Sequence, residues 1–167
     1  MTDSFHDFVV HRSPALSRRA FLLTGDHQLA EDLLQSALAK TYRHWLRIRD
    51  GDPEAYVRRV MYHQQVSWWR RRRVAERLES EPTDQPGGDH SDATALRLTM
   101  SAALRRLSPR QRAVIVLRFY EDLTEAEAAE VLGCSVGTVK RHGHDAIRRL
   151  RAVAPDLVDR TEQRSLR

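Results

Sequence analysis

The sequence predicts an all-α fold of two small helical domains joined by a flexible acidic linker. Apolar residues recur at helical spacing over most of the chain, and alternating valine-rich runs and hairpin signals are scarce. One acidic stretch rich in proline and glycine divides the chain. We predict a first domain over residues 1–75, a linker over 76–93, a second domain over 94–154 and a frayed tail over 155–167.

Helix boundaries are marked in the first domain. Gly25 and Asp26 end one helical stretch and begin the next. The second stretch carries an apolar stripe made up of Leu29, Leu33, Leu34, Ala37, Leu38, Thr41, Trp45 and Ile48. The sequence RDGDP ends this stripe, and Asp52 as N-cap with Pro53 at the first helical position begins a helix that continues into SWWRRRR.

The predicted linker differs in charge from its surroundings. Residues 76–93 hold one basic and six acidic residues, whereas residues 1–75 hold 13 basic and 8 acidic, and residues 94–167 hold 14 basic and 9 acidic. If extended, the 18 residues could span about 60 Å. The two basic blocks suggest a polyanionic partner, most commonly nucleic acid, although solvated surface arginines would give the same charge.

The second domain shows three helix starts, the last of them at Ser135, which we expect to cap the final helix. Ser108 with Pro109 begins one helix, and Thr124 with Glu127 forms a capping box for the next. Pro155 ends the last helix. The apolar positions that recur at helical spacing, and that we expect to be buried, are Leu96, Met100, Ala103, Leu104, Ala113, Val114, Leu117 and Tyr120.

Residues 133–151, GCSVGTVKRHGHDAIRRLR, have the pattern of the second half of a helix-turn-helix. Gly133 permits the tight turn, Ala128 and Ala129 are small where the two helices would cross, and Val136 and Val139 are predicted to face the core. The residues left on the outer face near the helix start are Ser135, Thr138, Lys140, Arg141 and His144. These positions suit phosphate and base edges of duplex DNA, although an ordinary helical hairpin would share part of the pattern.

The stretch SWWRRRR places two adjacent tryptophans before four arginines. On a helix Trp68 and Trp69 lie about 100° apart, so we expect one to pack and the other to be presented. An exposed aromatic ring beside arginines suits single-stranded nucleic acid, because unpaired bases stack on the ring while arginine follows phosphate. A buried tryptophan followed by a solvated basic run is the alternative.

Both halves of the chain resemble one bacterial family. The segment DHQLAEDLLQSALAKTYRHW, followed by PEAYVRRVMYHQQVSWWRRRR, resembles domain 2 of extracytoplasmic-function (ECF) sigma factors, closest in wording to the actinobacterial SigE-like subgroup. The segment LRRLSPRQRAVIVLRFYEDLTEAEAAEVLGCSVGTVKRH resembles domain 4. The resemblance covers residues 5–152 and implies a protein that binds core RNA polymerase, recognises −35 and −10 promoter elements and promotes DNA opening.

The resemblance assigns roles to three groups of residues. Binding of the β′ clamp of core polymerase falls to Glu31, Asp32, Leu33 and Gln35, while domain 4 is expected to meet the β flap. The −10 surface comprises His63, Gln64, Ser67, Trp68, Trp69, Arg70, Arg71, Arg72 and Arg73. The −35 surface comprises Ser135, Thr138, Lys140, Arg141 and His144. An anti-sigma factor is a further candidate partner.

The chain departs from the family pattern at several of these positions. Ser36 stands where relatives often have an acid, and His63 and Ser67 stand where many carry Asn and Asp. In the recognition helix, Arg141, His144 and Asp145 replace Ser, Ser and Arg. We therefore expect an unusual −35 preference.

Other functions have weaker support in the sequence. A stand-alone transcriptional regulator with a LuxR-type recognition helix would explain only the second domain, and a nucleic-acid-processing enzyme would need clustered carboxylates. No catalytic motif stands out, and we expect no cofactor. A zinc site of Cys134, His142 and His144 is conceivable but has no obvious fourth ligand. No apolar run approaches the roughly 18 residues that span a bilayer, so we expect a cytoplasmic protein without membrane insertion.

Overall fold

The computed structural model describes residues 4–78 and 100–155, without the side chains of Trp69 and of residues 72–78. Its elements are α1 (Phe5–Thr24), α2 (His27–Arg43), α3 (Trp45–Ile48), α4 (Pro53–Leu78), α5 (described over residues 100–105), α6 (Pro109–Ile115), a π-helical segment (Val116–Tyr120), α7 (Glu125–Leu132) and α8 (Val136–Val153). The all-α prediction is confirmed. The predicted linker beyond residue 78, Leu96 and the tail after Pro155 lie outside the described residues.

The first unit, α1 to α4, begins and ends its helices close to the predicted points. Gly25, in the left-handed region with φ of 70°, ends α1, and the Asp26 side chain accepts the N–H of Leu29 at 2.9 Å to begin α2. The predicted stripe does not form a single helix, because the chain breaks at His44 between α2 and α3. This break brings the ring of Trp45 edge-on to Phe5, with centroids 5.2 Å apart.

The second unit, α5 to α8, has both predicted helix starts at Ser108 and Thr124, each with a complete capping box. Two predicted core residues of this unit are instead exposed, Tyr120 by 46% and Met100 by 41%. The π-helical segment explains Tyr120, since its extra residue per turn shifts the apolar face. Met100 lies one turn outside the small cluster of Leu104, Leu107 and Ala146.

The two units share one continuous apolar core. Helix α4 packs against both α6 and α7, and α1 packs against α6 and the π-helical segment. The buried cluster therefore runs without interruption through residues of both units, among them Leu16, Leu23, Leu33, Val57, Met61, Val114, Leu117, Val131 and Val139. The predicted division into two helical units is present, but within the described ranges the units lie against each other rather than apart.

The helices of the described ranges do not include a segment that is long and apolar enough to span a membrane.

Candidate nucleic-acid interface

The start of α8 has the predicted helix-turn-helix geometry. Gly133 adopts a φ of 64°, which only glycine accepts easily, and the hydroxyl of Ser135 accepts the N–H of Thr138 at 3.2 Å. The two hydroxyls of Ser135 and Thr138 also lie 2.9 Å apart. Val139 is buried as predicted, whereas Val136 is 39% exposed because it is the first helical residue after the cap and faces outward.

Exposed side chains surround this helix start. Lys140, Arg141 and His144 are exposed, and Thr138 is half-buried. Lys140 lies 3.7 Å from a carboxylate oxygen of Glu125 on α7. Asp145, which replaces a basic residue of the family pattern, pairs with Arg148 at 2.9 Å, so its negative charge is offset within α8.

His142 belongs to the inner side of the same helix. Its Nε2 is buried and has no hydrogen-bond partner among the described residues. Burial, together with the charges of Arg141 and Arg110, lowers the pKa of His142 below its ordinary value, so the ring is neutral near pH 7. Within residues 4–78 and 100–155 no three His, Cys, Asp or Glu side chains gather as metal ligands, including the three weighed as zinc ligands.

Helix α4 presents part of the predicted −10 surface. His63, Arg70 and Arg71 are exposed, and Trp68 is half-buried against the core. The guanidinium of Arg71 donates to the hydroxyl of Ser67 at 3.3 Å. The side chains of Trp69, Arg72 and Arg73 lie outside the description. We predicted that one of the two tryptophans packs and the other is exposed to solvent, and the structure describes only Trp68, which packs against the core.

Gln64 does not belong to this surface in the structure. Its side chain is buried, and its amide donates to the hydroxyl of Ser36 on α2 at 2.6 Å. The next residue, Gln65, donates to the carbonyl of Leu23 on α1 at 2.9 Å. The hydrogen bonds of these two adjacent glutamines therefore hold α4 against α2 and α1. The prediction that Gln64 contacts bases is corrected: its side chain packs inside the first unit.

The polar face of α2 carries most of the predicted polymerase-binding residues. Glu31, Asp32 and Gln35 are exposed, but Leu33 is fully buried and can support that face only from beneath. A cleft of about 700 Å³ joins this face to α4 and is lined by Asp32, Gln35, Ser36, Trp68, Arg71 and Arg112, among others. Residues predicted to bind polymerase and residues predicted to bind DNA therefore border one cleft, which also reaches the second unit.

Glu121, which the sequence analysis did not single out, receives three side chains of the first unit. Its carboxylate is only 4% exposed and accepts hydrogen bonds from Arg19, from Nη1 of Arg58 at 2.9 Å and from the hydroxyl of Tyr62 at 3.2 Å. Burial and the adjacent carboxylate raise the pKa of Tyr62 well above its ordinary value, which keeps its hydroxyl a donor. No local pattern marks Glu121, because its partners lie 59 to 102 residues away in sequence.

Arg112 makes a second unforeseen link. Its buried guanidinium donates to the carbonyls of Leu104 at 2.8 Å, Leu107 at 3.3 Å and, across the units, Leu23 at 2.7 Å. Burial lowers the pKa of Arg112 to about 10, which leaves it charged at neutral pH. The position of Arg112 between Gln111 and the apolar run Ala113–Leu117 does not mark it for this role in the sequence.

Two family models match the chain. The model described as Sigma-70 region 2 matches residues 8–74, and the model described as Sigma-70, region 4 matches residues 103–152. The chain is also 42% identical to the RNA polymerase sigma-E factor of Streptomyces coelicolor over 98% of this chain and 94% of that protein. It is 33% identical to the ECF RNA polymerase sigma factor SigL of Mycobacterium tuberculosis over 85% of this chain and 84% of that protein.

Solved structures show the same fold. The sigma factor RpoE of Bartonella quintana, crystallised with the anti-sigma factor NepR, superposes with a TM-score of 0.72 and 24% identity over 91% of this chain and 97% of that chain. A second structure, CnrH in complex with the cytosolic domain of CnrY, gives a TM-score of 0.59 and 22% identity over 91% of this chain and 88% of that chain.

Proposed function

This chain belongs to the sigma-70 family of RNA polymerase sigma factors, in its ECF group, and from that membership we propose how its two units divide promoter recognition. The protein is a sigma factor that recognises promoters for RNA polymerase. The observation that carries this conclusion is that regions 2 and 4 occur in order in one chain. A stand-alone regulator or a nucleic-acid-processing enzyme would leave region 2 without a role.

We propose that α8 reads the −35 element in the major groove. Support comes from the exposure of Ser135, Lys140, Arg141 and His144 around the start of one helix, whose free N–H groups favour phosphate. The Ser135 and Thr138 hydroxyls bond to each other, and whichever of the two accepts that bond keeps its own O–H free to donate to a phosphate. The basic side chain of Lys140 or Arg141 can contact guanine in duplex DNA.

The end of α4 is proposed to capture unpaired −10 bases. Trp68 and Arg71 line the same cleft, and Arg70, between them in sequence, is exposed. Unstacking costs a few kcal/mol per base step, whereas stacking of an extruded base on an aromatic side chain returns about 1–3 kcal/mol. Capture of extruded bases opens DNA without a chemical step. The relatives of this chain are initiation factors rather than catalysts. Both points support the inference that the chain is not itself an enzyme.

We further propose that the exposed face of α2, with Glu31, Asp32 and Gln35, binds the β′ clamp and that the second unit meets the β flap.

The domain limits 1–75, 76–93 and 94–154 remain our proposal. Helix α4 runs to Leu78, so the first unit extends three residues further than that proposal. We also propose a cytoplasmic location, since the sigma-factor relatives work with RNA polymerase. An anti-sigma factor is a further proposed partner, because RpoE, a protein of the same fold, was crystallised with one.

The experiment that tests this function is transcription with purified core polymerase on a promoter library. We expect run-off transcripts only when the protein and core polymerase are both present, from a small set of related promoters. Specific binding of the protein alone to promoter duplex, with no transcripts on adding core polymerase, would contradict the proposal and favour a stand-alone regulator.

A further inference from the structure

The first turn of α8 carries an apolar side chain that the core does not use. Val136, the first helical residue after the Ser135 cap, is 39% exposed. It belongs to neither of the apolar clusters that the described residues form. Val139, three residues on, is buried and anchors the helix to the core instead. A single exposed valine is common on protein surfaces, so the meaning of Val136 depends on what surrounds it.

Gly137, the next residue, also has no packing role among the described residues. A Cβ added there would meet only the hydroxyl oxygen of Ser135, at 3.9 Å. The other described glycines of this unit differ: Gly133 has a φ of 64°, and a Cβ at Gly143 would contact a methyl group of Val114 at 3.5 Å. Because glycine in a helix is less favourable than alanine, nothing in the described part of the fold accounts for a glycine at position 137.

Both residues lie on the side of α8 that faces away from the core. Gly137, Arg141 and His144 recur at helical spacing on that side, and Val136 precedes Lys140 by one turn. These residues are all exposed. The leading turn of this outer surface is therefore apolar and narrow, and the turn behind it is basic.

The dimensions of the major groove give the narrow leading turn a purpose. An α-helix with its side chains is about 10–12 Å wide, and the major groove is about 12 Å wide. A glycine on the leading turn lets the helix backbone approach the base edges more closely than a larger residue would. The apolar group that the groove presents at that depth is the 5-methyl group of thymine, which suits the isopropyl side chain of valine.

We propose that Val136 reads a thymine of the −35 element by contact with its 5-methyl group, and that Gly137 is a positioning residue that lets α8 come close enough for this contact. The inference rests on the proposed function, in which α8 enters the major groove at −35. Val136 and Lys140 lie about 6 Å apart along the helix, which corresponds to about two base pairs. The thymine therefore lies within about two base pairs of the guanine proposed to contact Lys140 or Arg141.

Deoxyuridine in place of thymine removes only the methyl group and tests the contact directly. Closed complexes of the protein with core polymerase are measured on a promoter from the library, with each −35 thymine of either strand replaced in turn. With the unmodified protein we expect one replacement to weaken binding about fourfold, as for one methyl group removed from an apolar contact. Val136→Ala should weaken binding to the thymine promoter by a similar factor, and the same replacement should then have no further effect.

Matched variants separate this contact from damage to the fold. Val153→Ala makes the same substitution at an exposed site at the other end of α8 and should leave the binding and its response to deoxyuridine unchanged. Gly137→Ala should not lower the melting temperature of the free protein, because alanine favours the helix, yet it should weaken the closed complex several-fold. A merely structural glycine would not give this combination, and undiminished binding by Gly137→Ala would reject its positioning role.

Two results would overturn the reading by Val136. In the first, no deoxyuridine weakens the complex of the unmodified protein, which includes the case of a −35 element without thymine. In the second, Val136→Ala stays as sensitive to deoxyuridine as the unmodified protein. The proposed role of α8 is judged separately by Lys140→Ala with Arg141→Ala: an unchanged closed complex rejects that role, whereas a weakened complex with either of the two results rejects only the reading by Val136.

Discussion

At the scale of single residues, Arg112 is a charged side chain buried in the described core. Its guanidinium donates hydrogen bonds to three backbone carbonyls in place of water. Two of these carbonyls lie in its own unit and one lies at the end of α1. A buried guanidinium is tolerated only because each of these bonds is made. The same carbonyl of Leu23 also accepts the amide of Gln65, so this one oxygen joins α1, α4 and α6.

Replacing Arg112 by methionine, which keeps much of the volume, should lower the free energy of unfolding by about 3 kcal/mol, because buried carbonyls lose their donor. The measurement is urea denaturation followed by circular dichroism. Arg110→Met, at an exposed site of the same helix, is the control and should change the free energy by less than about 0.5 kcal/mol. Equal effects of the two variants would contradict the role of Arg112.

His142 gives a prediction about pH. Its folded-state pKa is lowered, so between that value and its ordinary pKa of 6.5 the unfolded chain binds the proton more readily. The stability contributed by the neutral ring is present above pH 6.5 and is lost as the pH falls through the folded pKa. The free energy of unfolding should therefore fall less between about pH 7.5 and pH 5.5 in His142→Gln than in the unmodified protein. Identical pH profiles would show that the ring titrates freely in the fold.

At the scale of elements, α2, α4 and α8 carry separable functions. The α2 face is tested by Asp32→Ala with Gln35→Ala, which should weaken co-purification with core polymerase by about tenfold while helicity stays intact. Asp50→Ala removes an exposed carboxylate elsewhere in the first unit and serves as control. Undiminished core affinity in the double variant would remove α2 from the polymerase interface.

Helices α4 and α8 are distinguished by a premelted template. Trp68→Ala with Trp69→Ala should leave closed-complex binding largely in place but reduce permanganate reactivity of −10 thymines, and a premelted bubble should restore transcription. Lys140→Ala with Arg141→Ala should weaken the closed complex, and the bubble should rescue it poorly. A thermal melt comes first, because Trp68 packs on the core. A folded tryptophan variant that the bubble does not rescue would disprove the melting role.

Local signals in the sequence predicted the element boundaries well. The caps at Asp26, Ser108 and Thr124 and the left-handed glycine at Gly133 depend on neighbours within four residues, so their sequence patterns suffice. The exposed faces of α2 and α8 followed from helical spacing. The roles of Gln64 and Glu121 could not be predicted, because both depend on partners far away in sequence and on the packing of one unit upon the other.

At the scale of the whole molecule, the continuous core predicts one cooperative unfolding transition rather than two. Separation of the units would expose apolar surface, so each unit is stabilised by the other. Differential scanning calorimetry of the free protein should give a single peak whose calorimetric and van't Hoff enthalpies agree. Two resolved peaks would show that the units unfold independently. Glu121→Gln should broaden or split the peak, whereas Glu130→Gln should not.

The π-helical segment that precedes Glu121 also constrains how this part of the chain can change over evolution. Its wide turn is closed by the N–H of Glu121 bonding to the carbonyl of Val116 at 3.0 Å, five residues back. Deletion of one residue from Val116–Tyr120 would restore ordinary α-helical winding and rotate every following position by about 100°. Glu121 would then point away from Arg19 and Arg58. Selection for the contact between units thus acts on the number of residues in this segment as well as on their identity. Loss of a single codon there, with the reading frame preserved, should weaken that contact as much as loss of the Glu121 carboxylate itself.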